Sequence, residues 1–260
     1  MNEVLIDIQK LIFEYGTKTN TILALENINL QIRQGEFICV LGPSGCGKTT
    51  LLKIIAGYLK PSAGTCMMHG EPITGPDWHR GVVFQSPTLY PWMNLKENVE
   101  FGPRMRGLPE DEIERIRLQF LDQVKLSGFG DKFVFELSGG MKQRAELARV
   151  LANYPEVILM DEPFGALDAL TRLDMQTLVR NIWKKNKSTI FMITHDVDEA
   201  LSLGTRIIVI SNRPGSIIAE FDISFTHTIF NKDSRHFKFG DDYFNIKDKI
   251  MDLIHGQNEE

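Results

Sequence analysis

Cysteine is scarce in this sequence, basic charge is outnumbered, and no long apolar run occurs. The 260 residues include three cysteines, Cys39, Cys46 and Cys66. An odd count without C-x-x-C spacing argues against a disulfide framework and a thiolate zinc site, and leaves reduced thiols in or near a core. Lys and Arg total 29 against 34 Asp and Glu, for a net charge of −5. Binding through the phosphate backbone needs a basic face, so no nucleic-acid partner is expected. No apolar stretch approaches the roughly 18 residues of a membrane span. The opening M-N-E-V-L-I-D-I-Q-K has neither a basic leader nor a sustained apolar run. A secretory signal is therefore not expected, and the chain is expected to stay in the cytoplasm. What is present, 43% hydrophobic and 24% charged residues, is the composition of a globular protein with a sizeable core.

The texture changes along the chain. Up to about residue 38, V-L-I-D-I, L-I-F-E-Y-G and A-L-E-N-I-N-L-Q-I-R-Q-G-E-F alternate apolar and polar residues, which predicts half-buried antiparallel strands. F-I-C-V-L is apolar throughout, the pattern of a strand covered on both faces, and it feeds a Gly-rich turn and the helix-like T-T-L-L-K-I-I-A-G-Y-L. Strand-like runs recur at G-T-C-M-M-H-G, G-V-V-F-Q, V-I-L-M-D, T-I-F-M-I-T-H and R-I-I-V-I-S, with helical stretches at about 109–126, 139–153, 168–186 and 196–203. Alternation of this kind predicts a mostly parallel α/β sheet. No strand pattern appears between Pro91 and Ser138, which points to a helical insert; residues 225–242 read as loop and Y-F-N-I-K-D-K-I-M-D-L-I-H as an amphipathic helix.

Residues 42–49, G-P-S-G-C-G-K-T, fit the phosphate-loop pattern and lie between a buried strand and a helix. Gly42, Gly45 and Gly47 let the backbone around Pro43, Ser44 and Cys46 turn its N–H groups inward, and the helix start at Lys48 and Thr49, continued by Thr50, adds partial positive charge for phosphates. Lys48 is the candidate for the β- and γ-phosphates, and Thr49 for a hydroxyl ligand of Mg²⁺. V-I-L-M-D-E-P at 157–163 is an apolar strand ending in two acids. A carboxylate there needs a cation or a reacting proton to offset its desolvation. Asp161 is the candidate for Mg²⁺ and Glu162 for polarising an attacking water. Together these define a P-loop NTPase and no more.

L-S-G-G-M-K-Q-R-A-E-L-A-R-V-L-A at 137–152 opens on Ser138, a good helix cap, with Gly139 and Gly140 exposing the first-turn N–H groups. One nucleotide has one γ-phosphate, so a second phosphate-binding helix start calls for a second molecule. With G-A-L-D at 165–168 and T-H-D at 194–196, these segments stand in the order found in the ATP-binding subunit of ABC transporters, which the sequence resembles.

The resemblance implies a RecA-like P-loop α/β domain over residues 4–236, with an N-terminal antiparallel β subdomain, a helical subdomain at about 91–145, and a C-terminal helical tail over 237–260. It implies that Tyr15 stacks on adenine, that Gln85 touches Mg²⁺ and water, that His195 holds the γ-phosphate and orients Glu162, and that Asp168 crosses a dimer seam. Two copies would enclose each ATP between residues 42–49 of one and Ser138, Gly139 and Gly140 of the other. Met141, where many relatives have Gln, leaves the backbone amides in place.

The form L-S-G-G-M-K-Q-R, with S-P-T-L-Y-P-W-M-N-L-K-E-N-V at 86–99 and S-N-R-P-G at 211–215, is similar to the nitrate, sulfonate, taurine and bicarbonate importer group. That similarity implies a homodimer on the cytoplasmic side of the inner membrane, two integral permease subunits and, indirectly, a solute-binding protein. The aromatics and Met of 87–93 and 101–107 form either core of the insert or a groove for a permease helix. A soluble ABC ATPase of the iron–sulfur assembly type and an exporter ATPase are the alternatives.

Overall fold

Two long strands at the start of the chain are built on alternation. The computed structural model describes residues 3–17, 20–226 and 240–256. β1 (Val4–Thr17) and β2 (Asn20–Arg33) pair antiparallel, with Ile6 opposite Ile32 and Tyr15 opposite Ile22. The first two alternating segments expected from sequence are thus one strand. A register shift between Ile8 and Leu11 accommodates Lys10 in the left-handed region at φ +46°, and the Asn29 side chain accepts from its N–H at 2.9 Å. β4 (Ala63–Met68) pairs with the other edge of β1, and its hairpin to β5 (Glu71–Pro72) turns through His69 and Gly70, both at positive φ, the geometry that twists with the strands.

The chain divides into two compact units, residues 1–76 with 189–260, and residues 77–188. In the first, β3 (Phe37–Leu41) lies between β8 (Thr189–Ile193) and β9 (Arg206–Ile210), parallel to both, and all fifteen residues of these strands are buried. Doubly covered parallel strands account for the unbroken apolar runs. β10 (Ile217–Asp222) adds antiparallel to β9, and its residues alternate between half-buried and exposed as befits an edge. α1 (Lys48–Ile55), α6 (Val197–Leu203) and α7 (Asp241–His255) belong to this unit.

The second unit holds the parallel pair β6 (Arg80–Val83) and β7 (Val157–Asp161), and α2 (Leu95–Met105), α3 (Glu110–Gln123), α4 (Gly139–Leu151) and α5 (Ala169–Asn186). α2 was not among the helices expected. It starts on a reciprocal cap, in which the Asn94 side chain accepts from the Glu97 N–H and the Glu97 carboxylate accepts from the Asn94 N–H, and it continues through Pro103. All three cysteines are buried and none is in a disulfide. The expected boundary between residues 236 and 237, and most of the loop before α7, lie outside the described residues.

Candidate functional site

The first unit carries residues 42–50, Tyr15 and His195. Between β3 and α1 the chain passes through Gly42 at φ +155°, Gly45 at +78° and Gly47 at +105°. A Cβ on Gly42 would stand 2.6 Å from the Ile210 carbonyl oxygen, so close backbone approach as well as dihedral freedom requires glycine there. Ser44 and Gly45 form an exposed tip, whereas Cys46 is buried. Lys48 is 8% exposed, and its ammonium donates to the Gly42 and Pro43 carbonyls at 2.8 Å each and lies 3.7 Å from the Cys46 sulfur. A cation is thereby fixed inside a ring of backbone, at the start of a helix whose dipole adds to it.

Two other segments frame this loop within the same unit. The Tyr15 phenol lies 2.9 Å from the Thr50 hydroxyl, and its ring meets Phe13 edge-on at 4.8 Å. Gly215 donates to the Ala24 carbonyl and accepts from the Glu26 N–H, both at 2.9 Å, and a Cβ on it would collide with the Cys46 carbonyl oxygen. The S-N-R-P-G segment thus forms a wall of the loop, a contact that sequence spacing does not reveal. His195 is exposed at the end of β8. Its neighbours are clamped: the Thr194 hydroxyl donates to Glu199 at 2.7 Å and accepts from the Asp196 N–H at 3.1 Å, while Asp196 caps α6.

The second unit carries Gln85, Ser138–Gly140, Asp161, Glu162 and Asp168. β7 is buried until Asp161, where it opens to partial exposure. Glu162, the next residue, adopts φ +47°, a left-handed conformation that costs a non-glycine residue about 1–3 kcal/mol and that clusters where function demands it. Gln85 Nε2 is 3.4 Å from Glu162 Oε2, so the structure brings these two predicted residues together. Ser138 accepts from the Met141 N–H at 3.3 Å, and Gly139 faces open space. Asp168 caps α5 by accepting from the Leu170 and Thr171 N–H groups, at 3.2 and 3.1 Å; bonds from Thr171, side chain first, hold its carboxyl below the usual range. Gly140 and Thr171 pack against each other, linking the starts of α4 and α5.

Among the described residues, no three His, Cys, Asp or Glu side chains converge to hold a metal ion. Thr49 in the first unit, and Gln85 and Asp161 in the second, each carry an oxygen donor of the kind Mg²⁺ takes. A glycine-turned loop enclosing a lysine between a doubly covered strand and a helix defines a P-loop NTPase.

Comparison with known proteins narrows that class. Residues 25–165 match the family described as ABC transporter. The chain is 49% identical to the taurine import ATP-binding protein TauB of Roseobacter denitrificans, over 92% of this chain and 89% of that one. It is 43% identical to the nitrate import ATP-binding protein NrtD of Synechocystis sp., over 94% and 92%. Among solved structures, the ATP-binding cassette MJ0796, in a dimeric post-hydrolysis state bound to ADP and Pi, matches with a TM-score of 0.74 at 31% identity, covering 84% of this chain and 99% of that one. CbiO1 from Clostridium perfringens, part of the ABC transporter complex cbiONQ, matches at 0.76 and 29%, covering 88% and 92%. The chain belongs to the ABC transporter family, as its ATP-binding and ATP-hydrolysing component.

Proposed function

We propose that this ATPase powers import of a small solute of the taurine or nitrate kind, working as a homodimer on the cytoplasmic face of the inner membrane beneath two permease subunits. The observation that carries the reading is the near end-to-end match to taurine and nitrate import ATP-binding proteins. No helix among the described residues is long and apolar enough to cross a membrane; in this reading the permeases form the pathway for the solute. A solute-binding protein would act through those permeases and select the cargo.

In this reading the amides of residues 42–47 receive the phosphates, Lys48 takes the β- and γ-oxygens, and Tyr15 offers its ring to adenine. Glu162 polarises water, Gln85 touches that water, His195 holds the γ-phosphate and orients Glu162, and Asp168 acts across the dimer seam. Thr49, Asp161 and Gln85 would hold Mg²⁺, which neutralises phosphate charge when bound. Ser138, Gly139 and Gly140 of the second copy close over the γ-phosphate, and its loss on hydrolysis lets the pair open. The long Gln85–Glu162 contact and the strained Glu162 backbone support these roles.

Glu162→Gln keeps the side chain's size and removes its basicity. The variant is expected to bind ATP, to run as a dimer in size exclusion, and to lose at least about 100-fold in turnover. Near-normal turnover would overturn the assignment. Purification from membranes tests the transport reading: recovery with two integral permease chains supports import, and recovery with a soluble partner overturns it.

A further inference from the structure

The segment carrying Gln85 is gripped by one face of α4. Three side chains spaced three residues apart, Gln143, Glu146 and Arg149, reach it. Gln143 donates to the Phe84 carbonyl at 3.4 Å. One Glu146 carboxylate oxygen accepts from the Thr88 N–H at 2.9 Å and from its hydroxyl at 2.7 Å. Arg149 donates to the Thr88 carbonyl at 2.9 Å and to its hydroxyl oxygen at 2.8 Å. Every polar group of Thr88 is thus held by the helix, and Gln85 is fixed on both flanks. Beyond Thr88 the chain runs through Tyr90, whose ring lies under the Arg149 guanidinium at 5.2 Å, to the exposed Trp92.

Glu146 is fully buried, with one carboxylate oxygen bonded to Thr88. Burial pushes its carboxyl above the usual range, partly offset by Thr88 and Arg149. An ionisable group at a buried helix position costs stability that an apolar residue of similar size would not. The fold bears that cost where the group joins the middle of α4 to the loop that presents Gln85 to Glu162.

We propose that Glu146, flanked by Gln143 and Arg149, is a positioning residue for hydrolysis: it holds residues 84–88 in the register that presents Gln85 to Glu162. This rests on the assignment of Gln85 and Glu162 to the attacking water.

The test is steady-state ATP hydrolysis by the full chain in a double-mutant cycle. Glu146→Ala is expected to lower kcat about tenfold, within the range for residues coupled through one network, with KM for ATP changed less than about twofold. Glu146→Gln, which keeps an oxygen for Thr88, is expected to recover most of the loss. In a Gln85→Ala background, Glu146→Ala is expected to cause no further fall, because both act through one group. Multiplying losses, or a loss confined to KM, would overturn the proposal while leaving Gln85's role intact. Turnover by Gln85→Ala at the wild-type rate would remove the underlying assignment and the proposal with it. Should Glu146→Ala fail to fold, Thr88→Val replaces it in the same cycle with the same expected outcomes.

Discussion

The phenol of Tyr15 and the hydroxyl of Thr50 lie 2.9 Å apart, tying the end of β1 to the first turn of the helix that follows the phosphate loop. Tyr15 nonetheless remains 41% exposed, with Phe13 against its ring edge-on. Ring and hydroxyl therefore have separable tasks. Tyr15→Phe keeps the ring, and ATP affinity in a fluorescent-nucleotide titration is expected to change less than about twofold. Tyr15→Ala is expected to weaken binding about three- to tenfold, the scale of an aromatic stacking contact. Equal weakening by both variants would assign the effect to the hydroxyl.

Gly45 and Gly47 are both at positive φ but differ in surroundings. A Cβ at Gly45 meets nothing within 4 Å, whereas one at Gly47 stands 2.7 Å from Leu25 Cδ2 and 3.0 Å from the Ala24 carbonyl oxygen. Gly45→Ala is expected to cost only the left-handed backbone, about 1–2 kcal/mol. Gly47→Ala adds a clash worth about 1–3 kcal/mol more. Urea unfolding of the two variants gives the comparison, and equal losses would contradict the packing around Gly47.

Gly139 separates stability from function. Nothing lies within 4 Å of a Cβ there, and the position is helical. Gly139→Ala is expected to leave the melting temperature unchanged or to raise stability by up to about 1 kcal/mol. If that turn receives the second copy's nucleotide, the methyl lies in the contact, and turnover is expected to fall about tenfold or more. Wild-type turnover in a fully folded Gly139→Ala protein would remove the trans role.

The C-terminal helix α7 is pinned at Asp198, which accepts from the Tyr243 hydroxyl at 2.7 Å and from the Lys247 ammonium at 2.7 and 2.8 Å. Burial pushes the Asp198 carboxyl up, but the bonds from Lys247 and Tyr243 outweigh it and leave the group below its ordinary value. A carboxyl depressed by folding contributes stability above its unfolded pKa, near 4, and loses it as pH falls through the folded value. Lys247→Met is expected to lower the melting temperature at pH 7, with the gap to wild type closing below about pH 4. A gap that stays constant down to pH 3 would show that the ion pair contributes nothing.

The parts legible in sequence were those whose cause is local. F-I-C-V-L, T-I-F-M-I and R-I-I-V-I announce doubly covered strands because both faces of each are buried. Residues 42–49 are readable because a phosphate cradle is made from consecutive amides. The path from Val4 to Thr17 is harder, since the bulge at Lys10 interrupts alternation without ending the strand. α2 escaped because Gly102–Pro103 looks like a break, although the Asn94–Glu97 cap announces its start. β10 was not among the expected strands although I-I-A-E-F-D is apolar at four of its six positions. Neither the left-handed backbone of Glu162 nor the burial of Glu146 can be read from neighbours in the chain: both follow from tertiary packing. Gln143, Glu146 and Arg149, three residues apart along α4, were the available signal.

Gly215 lies against the Cys46 carbonyl and bonds to both Ala24 and Glu26. Residues 42–49 leave the ribosome long before that glycine is made, so the nascent chain holds every contiguous nucleotide-binding segment while the cradle still lacks a side. The side of that loop formed by the turn beyond β9 is therefore the last part of it to be synthesised.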